Sequence, residues 1–190
     1  MKTPIVFLLA ITALGLPSFA QAPVGAGSVK ISKVLPAIVK TPEYTITGGQ
    51  NKRYKLGEWL EIEVEYATKP EDIDDLTFKF TVMFEKKLLD GEVTYSNIAQ
   101  GKDHFAVMYV SPKAMEKLTG GKALTGASIE NVWVEVSKSG LVLDKASHKP
   151  GAIPNAPHVN GLVLSKDETP FAPLFYDPTN PSRNPADSLG

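Results

Sequence analysis

Three histidines, an acidic run and a row of glutamates are the residues of this chain whose types could do chemistry. The histidines are His104, His148 and His158. His148 and His158 stand ten apart in a proline- and glycine-rich segment, and Asp144, Asp167 or Glu168 would have to join them to complete a metal site. Such a site needs three or four convergent ligands. Loop histidines without tight spacing read more simply as part of a solvated polar linker. His104 follows Asp103 at a strand start and reads as a surface residue at a turn. The run Glu71-Asp72-Ile73-Asp74-Asp75 lacks the glycine and the distal glutamate of a calcium loop. It reads as a solvated turn between strands. Gly120-Gly121-Lys122 has no glycine five residues before Gly121, so the phosphate-loop pattern is absent.

Glu61, Glu63 and Glu65 line one face of a strand at about 7 Å intervals, a spacing at which paired carboxylates can work together. A like-charged exposed row is more simply a wet face, or an edge protected against pairing. The sequence has no Gly-x-Ser-x-Gly elbow, no His-Glu-x-x-His and no cysteine, which removes thiol chemistry and cysteine-ligated zinc. No catalytic residue, cofactor or metal is therefore assigned, and the expectation is a protein that is not an enzyme.

Binding is the other class of function, and it turns on the aromatics. Trp59 shares the outward parity of the three glutamates. Val132, Val134 and Val136 form the apolar register around Trp133, which turns that indole outward too. An exposed tryptophan stacks on sugar or anchors a protein interface. Small domains also fold their ends over such patches, and Phe171, Leu174, Phe175 and Tyr176 are the natural side chains to cover them. Trp59, Trp133, Phe171, Phe175 and Tyr176 make up the candidate interaction surface. The tail cluster either packs on its own body or docks on another subunit.

The elements that must position these residues are strands. Leu60, Ile62, Val64 and Tyr66 alternate with Glu61, Glu63 and Glu65, and Leu76, Phe78, Phe80, Val82 and Phe84 alternate with Thr77, Lys79, Thr81 and Met83. Period-two alternation gives each strand one buried and one wetted face. Two such runs in succession point to antiparallel sheets packed in two layers, because parallel strands are apolar on both faces. Strands are expected at 28–34, 44–47, 59–67, 76–85, 92–97, 104–110, 129–137 and 141–144. Asp90-Gly91 and Ser139-Gly140 carry the residue types of hairpin turns. One short helix follows Ser111, with Pro112 at its first position and Gly120-Gly121 at its end. Seven to eight strands with one short helix fit an all-β, immunoglobulin-like antiparallel β-sandwich. A jelly roll or an open barrel of similar strand count is the competing architecture.

The N-terminus reads as an address. Lys2 precedes a nearly unbroken apolar run from Ile5 to Leu16, and Ser18-Phe19-Ala20 places small residues at the −3 and −1 positions of a cleavage site. The run falls short of the roughly 20 residues of a membrane span. Without Lys2 the chain carries 19 basic and 21 acidic residues, against 20 and 21 in the whole sequence. A net charge of −2 offers no footprint for nucleic acid. Residues 1–20 are thus a signal peptide, 21–27 a flexible leader, 28–147 the sandwich, and 148–190 a C-terminal extension holding eight of the fifteen prolines. An exported protein without cysteine must rest its stability on an apolar core, and about 170 residues suffice for one.

Tyr54-Lys55-Leu56-Gly57-Glu58-Trp59, Val132-Trp133-Val134-Glu135-Val136 and the order from leader to proline-rich tail carry a resemblance. The chain resembles small exported proteins associated with type IV pilus gene clusters in bacteria of the Verrucomicrobia type. The resemblance implies an immunoglobulin-like fold related to the soluble domains of archaeal pilus and archaellum proteins, and it brings no catalytic residues. The function expected is a non-enzymatic structural or interaction module, not membrane-spanning, in a periplasmic or surface assembly with protein partners. A small glycan-binding module using an exposed tryptophan is the alternative, and a hydrolase a distant third. Localisation is expected in the periplasm, on the outer surface or outside the cell. The mature chain should begin at Gln21, or at Pro23 if cleavage follows Ala22. N-terminal sequencing checks this, and retention of Met1 would overturn it.

Overall fold

The computed structural model describes residues 25, 27–44, 56–121 and 128–174. The expected signal peptide, most of the 21–27 leader and positions 45–47 of an expected strand lie outside these residues; Tyr44 itself is not in a strand. Seven long strands and one helix run in the order β1 (Val29–Lys40), β2 (Glu58–Thr68), β3 (Ile73–Phe84), β4 (Lys87–Ile98), β5 (Gly101–Val110), α1 (Pro112–Thr119), β6 (Ile129–Lys138) and β7 (Leu141–Ser147). Two three-residue strands follow, β8 (His158–Asn160) and β9 (Val163–Ser165).

The strands form two sheets with the orders β1-β2-β5-β9 and β7-β6-β3-β4-β8. Set aside the two short strands and this is the immunoglobulin arrangement. The first, second and fifth strands share one sheet, and the seventh, sixth, third and fourth share the other. That order excludes the jelly roll and the open barrel. The sheets are not purely antiparallel, since β8 pairs with β4 in parallel.

The alternation in the sequence becomes the core. Leu60, Ile62, Val64 and Tyr66 of β2 face Leu76, Phe78, Phe80, Val82 and Phe84 of β3 across the sandwich, all buried, with Val132, Val134 and Val136 of β6 beside them. The Tyr66 and Phe78 rings meet at 4.8 Å. Helix α1 carries the crossover from β5 to β6. Ser111 Oγ accepts from the amide of Ala114 at 3.2 Å, and Gly120 ends the helix in the left-handed region at φ 65°.

The Asp90-Gly91 hairpin expected from sequence is a correction. Both residues lie inside β4, opposite Thr81 and Phe80. The turn is made by Glu85 and Lys86, at φ 47° and 59°, the two positive values a tight hairpin requires. Gly91 answers a different need. A Cβ there would stand 2.6 Å from Val163 and 3.0 Å from the Met108 methyl. The missing side chain lets β9 close over the core, a common reason for glycine inside a strand. Ser139 and Gly140, at φ 49° and 80°, do turn β6 into β7.

Residues 148–174, part of the expected C-terminal extension, join the two sheets. This segment adds β8 to the edge of one sheet and β9 to the edge of the other, turning between them at Gly161. It seals the side of the sandwich between β4 and β5, and Val163 enters the core. Phe80 sits fully buried at the middle of that core. Phe80→Ala should destabilise the fold by roughly 3–5 kcal/mol, the usual cost of emptying an aromatic core site. Thermal and denaturant melts measure it, and a midpoint within a degree or two of wild type would contradict this packing.

Candidate binding site

The two outer faces of the sandwich have opposite fates. On the β1-β2-β5 sheet, Trp59 pairs with Val39, and Glu61, Glu63 and Glu65 stand opposite Tyr109, Val107 and Phe105. Beyond β9 the chain makes a 3-10 turn at Lys166–Glu168, fastened by the Ser165 amide and hydroxyl donating to Glu168 at 2.8 and 3.0 Å. It then lays Phe171 on this face. The Phe171 ring stacks on Tyr109 at 4.4 Å and 7°, and meets Trp59 edge-on at 5.6 Å. Trp59, Val107, Tyr109 and Phe171 form a second small core, with Leu174 packed against it. The Tyr44 hydroxyl donates to the Pro170 carbonyl at 2.7 Å and holds the strap down.

Trp59 is therefore not an open binding residue. Its ring is buried and its Nε1 donates to Thr41 Oγ1 at 3.0 Å. Phe171 is buried with it, so the two residues face each other and not a ligand. Phe175 and Tyr176, the other tail candidates, lie outside the described residues.

Trp133 differs. It stands on the outer face of the other sheet, between Thr81 of β3 and Ser147 of β7, and is only half-buried. Its Nε1 donates to the Gly151 carbonyl at 2.7 Å, which fixes the indole against the segment leaving β7. That segment is itself tied to β6, because Asn131 Nδ2 donates to the Lys149 carbonyl and Asn131 Oδ1 accepts from the Lys149 amide, both at 2.8 Å. The result is a groove of about 400 Å³. Its floor holds Lys79, Thr81, Trp133, Glu135 and Lys145, and its wall is Gly151 to Ile153. Ile153 is half exposed, at 50%.

Along the floor, Lys145, Glu135, Lys79 and Glu92 occupy neighbouring registers across four strands, with alternating charge. Lys145 and Glu135 pair at 2.6 Å. Lys79 is exposed and makes no ion pair among the described residues. The groove thus joins one fixed aromatic ring, one exposed aliphatic side chain and one unpaired cation. Such a site holds an apolar group with a negative charge beside it. Sequence parity alone indicated Trp133. The wall was not legible, since it depends on where the prolines and glycines of 148–157 run.

The remaining polar candidates are held by structure. His148 Nδ1 lies 3.0 Å from the Val34 carbonyl, His104 Nε2 is 3.3 Å from Thr68 Oγ1, and His158 Nδ1 contacts Asp90, whose other oxygen accepts from Thr81. Asp72 accepts from the Gln100 amide and Asp74 pairs with Lys138. Among the described residues no three His, Asp or Glu side chains converge to hold a metal ion. Nor, among them, is any helix long and apolar enough to cross a membrane.

The strand order and the covered and open faces define an immunoglobulin-like domain with a self-sealed side. A family model matches residues 20–184, and the chain belongs to that family. It is similar to a crystal structure of a protein from Akkermansia muciniphila, a member of the Verrucomicrobia. Identity is 25% over 78% of this chain and 89% of that one, with a TM-score of 0.66. No curated protein matches.

The glutamate row beside the strap carries an electrostatic cost. Glu65 pairs with Lys33 at 2.6 Å, and Glu61 accepts from the Tyr109 hydroxyl at 2.8 Å. Between them, burial first, and then the charges of Glu61 and Glu65, hold the Glu63 carboxyl above the usual carboxylate range. A carboxyl raised by folding binds its proton more tightly in the native state. Its favourable contribution is complete below the unfolded value and is lost as pH rises through the raised folded value. Glu63→Gln should therefore raise the melting temperature at neutral pH. The gain should vanish as pH falls below the ordinary carboxylate value. Melts across that pH range check it, and a gain that persists in acid would refute the assignment.

Proposed function

We propose that this protein is a non-enzymatic, exported structural module of a periplasmic or surface assembly of the type IV pilus kind. In this reading it engages a protein partner through the open face of the β7-β6-β3-β4 sheet. The observation that carries the reading is the asymmetry of the outer faces. One is covered by the chain's own strap, whose Phe171 engages Trp59 and Tyr109. The other presents a half-buried tryptophan, an exposed isoleucine and an exposed lysine in one groove. Interfaces draw most of their energy from such aromatic anchors in pockets. The family match begins at residue 20, at the boundary where the export signal is read to end, which supports an exported mature domain. Kinship with archaeal pilus and archaellum domains is part of the same proposal, and the immunoglobulin-like strand order supports it.

A second reading is favoured by one observation. Trp133 has hydroxyl and charged neighbours in Thr81, Ser147, Lys79 and Lys145, and an aromatic ring ringed by polar groups also suits a sugar.

A photo-crosslinking amino acid placed at Ile153 in the native envelope separates these. The expected outcome is a discrete protein adduct from Ile153 and none from the same probe at Leu35, exposed on the opposite sheet. Equal labelling at both positions, or none, would count against the open face as the contact. Binding on a glycan array that Trp133→Ala abolishes would transfer the site to the second reading.

A further inference from the structure

We infer that the groove around Trp133 receives the Phe175-Tyr176-Asp177 segment of a second copy of this chain, linking copies head to tail. This rests on the reading of that face as the contact surface and names its occupant.

Geometry excludes the molecule's own tail. Leu174 lies against the small core on the outer face of the β1-β2-β5 sheet. The groove opens on the outer face of the other sheet. The two sheets stand about 10 Å apart, and a surface-to-surface path must also clear the side chains on both outer faces and round an edge. Three residues beyond Leu174 span about 10 Å at full extension. Phe175 to Asp177 therefore cannot reach the groove of their own molecule.

The covered face has already given its aromatic slot to another residue. Its aromatic slot is occupied by Phe171, stacked on Tyr109 and edge-on to Trp59. Two adjacent aromatics then follow in a stretch that is otherwise polar and proline-rich, Asp177-Pro178-Thr179-Asn180-Pro181. Side chains of that size favour a pocket over water.

The groove matches their chemistry. Trp133 and Ile153 offer an apolar seat, and Lys79 supplies a cation where Asp177 would bring the carboxylate. Pro178 and Pro181 lack amide donors, so the chain beyond Asp177 is a poor added strand for the β7 edge, and the proposed contact is made by side chains. Donor and acceptor surfaces lie on opposite faces of one molecule. Such a contact is heterologous, and repetition generates a ring or an open filament, not a closed two-fold dimer.

Complementation tests this with the mature chain from Gln21 to Gly190. Sedimentation velocity of wild type should show species above monomer that grow with concentration. Phe175→Ala/Tyr176→Ala should weaken self-association about tenfold or more, the effect of removing interface anchors. Trp133→Ala should do the same, and so should Ile153→Asp, which guards against a folding effect at Trp133. Mixing the tail variant with either groove variant should restore a species, and it should stop at a dimer, since each variant keeps only one working surface. Wild type that stays monomeric at all concentrations would overturn the inference. So would association indifferent to the tail variant, or a mixture that never forms the dimer. If the chain stays monomeric while Ile153 in the envelope crosslinks to one different protein, the occupant assigned here is wrong and the open-face reading stands.

Discussion

The packing of β2 against β3 across the sandwich is the constraint on which every other feature depends. The chain has no cysteine, so no cross-link limits its unfolded state. Stability must come from the apolar inner faces, and these are contiguous: Leu60, Ile62, Val64 and Tyr66 against Leu76, Phe78, Phe80, Val82 and Phe84. Once those residues point inward, parity determines what points outward. Trp59 and the glutamates must decorate one face, and Lys79, Trp133 and Glu135 the other. The candidate site is a consequence of the core, seen from outside.

A sandwich built this way has an unsolved problem at the side between β4 and β5. Inner-face residues there would meet water, and two strand edges would be left without partners, the condition that invites aggregation. The C-terminal segment answers both needs. β8 pairs with β4, β9 pairs with β5, and Val163 fills the space that Gly91 leaves. The glycine and the valine are a matched pair, 72 positions apart in sequence. Neither is intelligible alone.

That pairing explains which parts of the fold were legible. Period-two alternation in β2, β3 and β6 showed in the sequence because it depends on near neighbours, and Ser111 with Gly120 marked the helix for the same reason. Asp90-Gly91 misled because its residue types belong to a turn, whereas the glycine serves a contact with Val163 that no local rule reveals. The true turn, Glu85-Lys86, has residues that turn preferences do not favour; strand register on both sides imposes the positive φ values. Trp59 lies on the face that parity assigns, but its cover, Phe171, comes from 112 residues further along the chain. In the strap, only aromatic content was readable, and its course depends on Tyr44 and Tyr109, both distant in sequence.

The strap also gives the domain a direction. It crosses from the β8 edge to the β9 edge and ends with Leu174 against the small core on the β1-β2-β5 sheet. The segment that begins the strap, 148–153, meanwhile builds the groove wall on the open face through Asn131 and Trp133. One stretch of chain thus shapes the groove at its start and covers the opposite outer face at its end. A substitution that loosened β9 would disturb the seating of Phe171 while leaving Asn131 and the groove wall in place. Loosening the Asn131 contacts would open the groove and leave the aromatic slot intact. The two regions are coupled by covalent continuity and separable by their contacts.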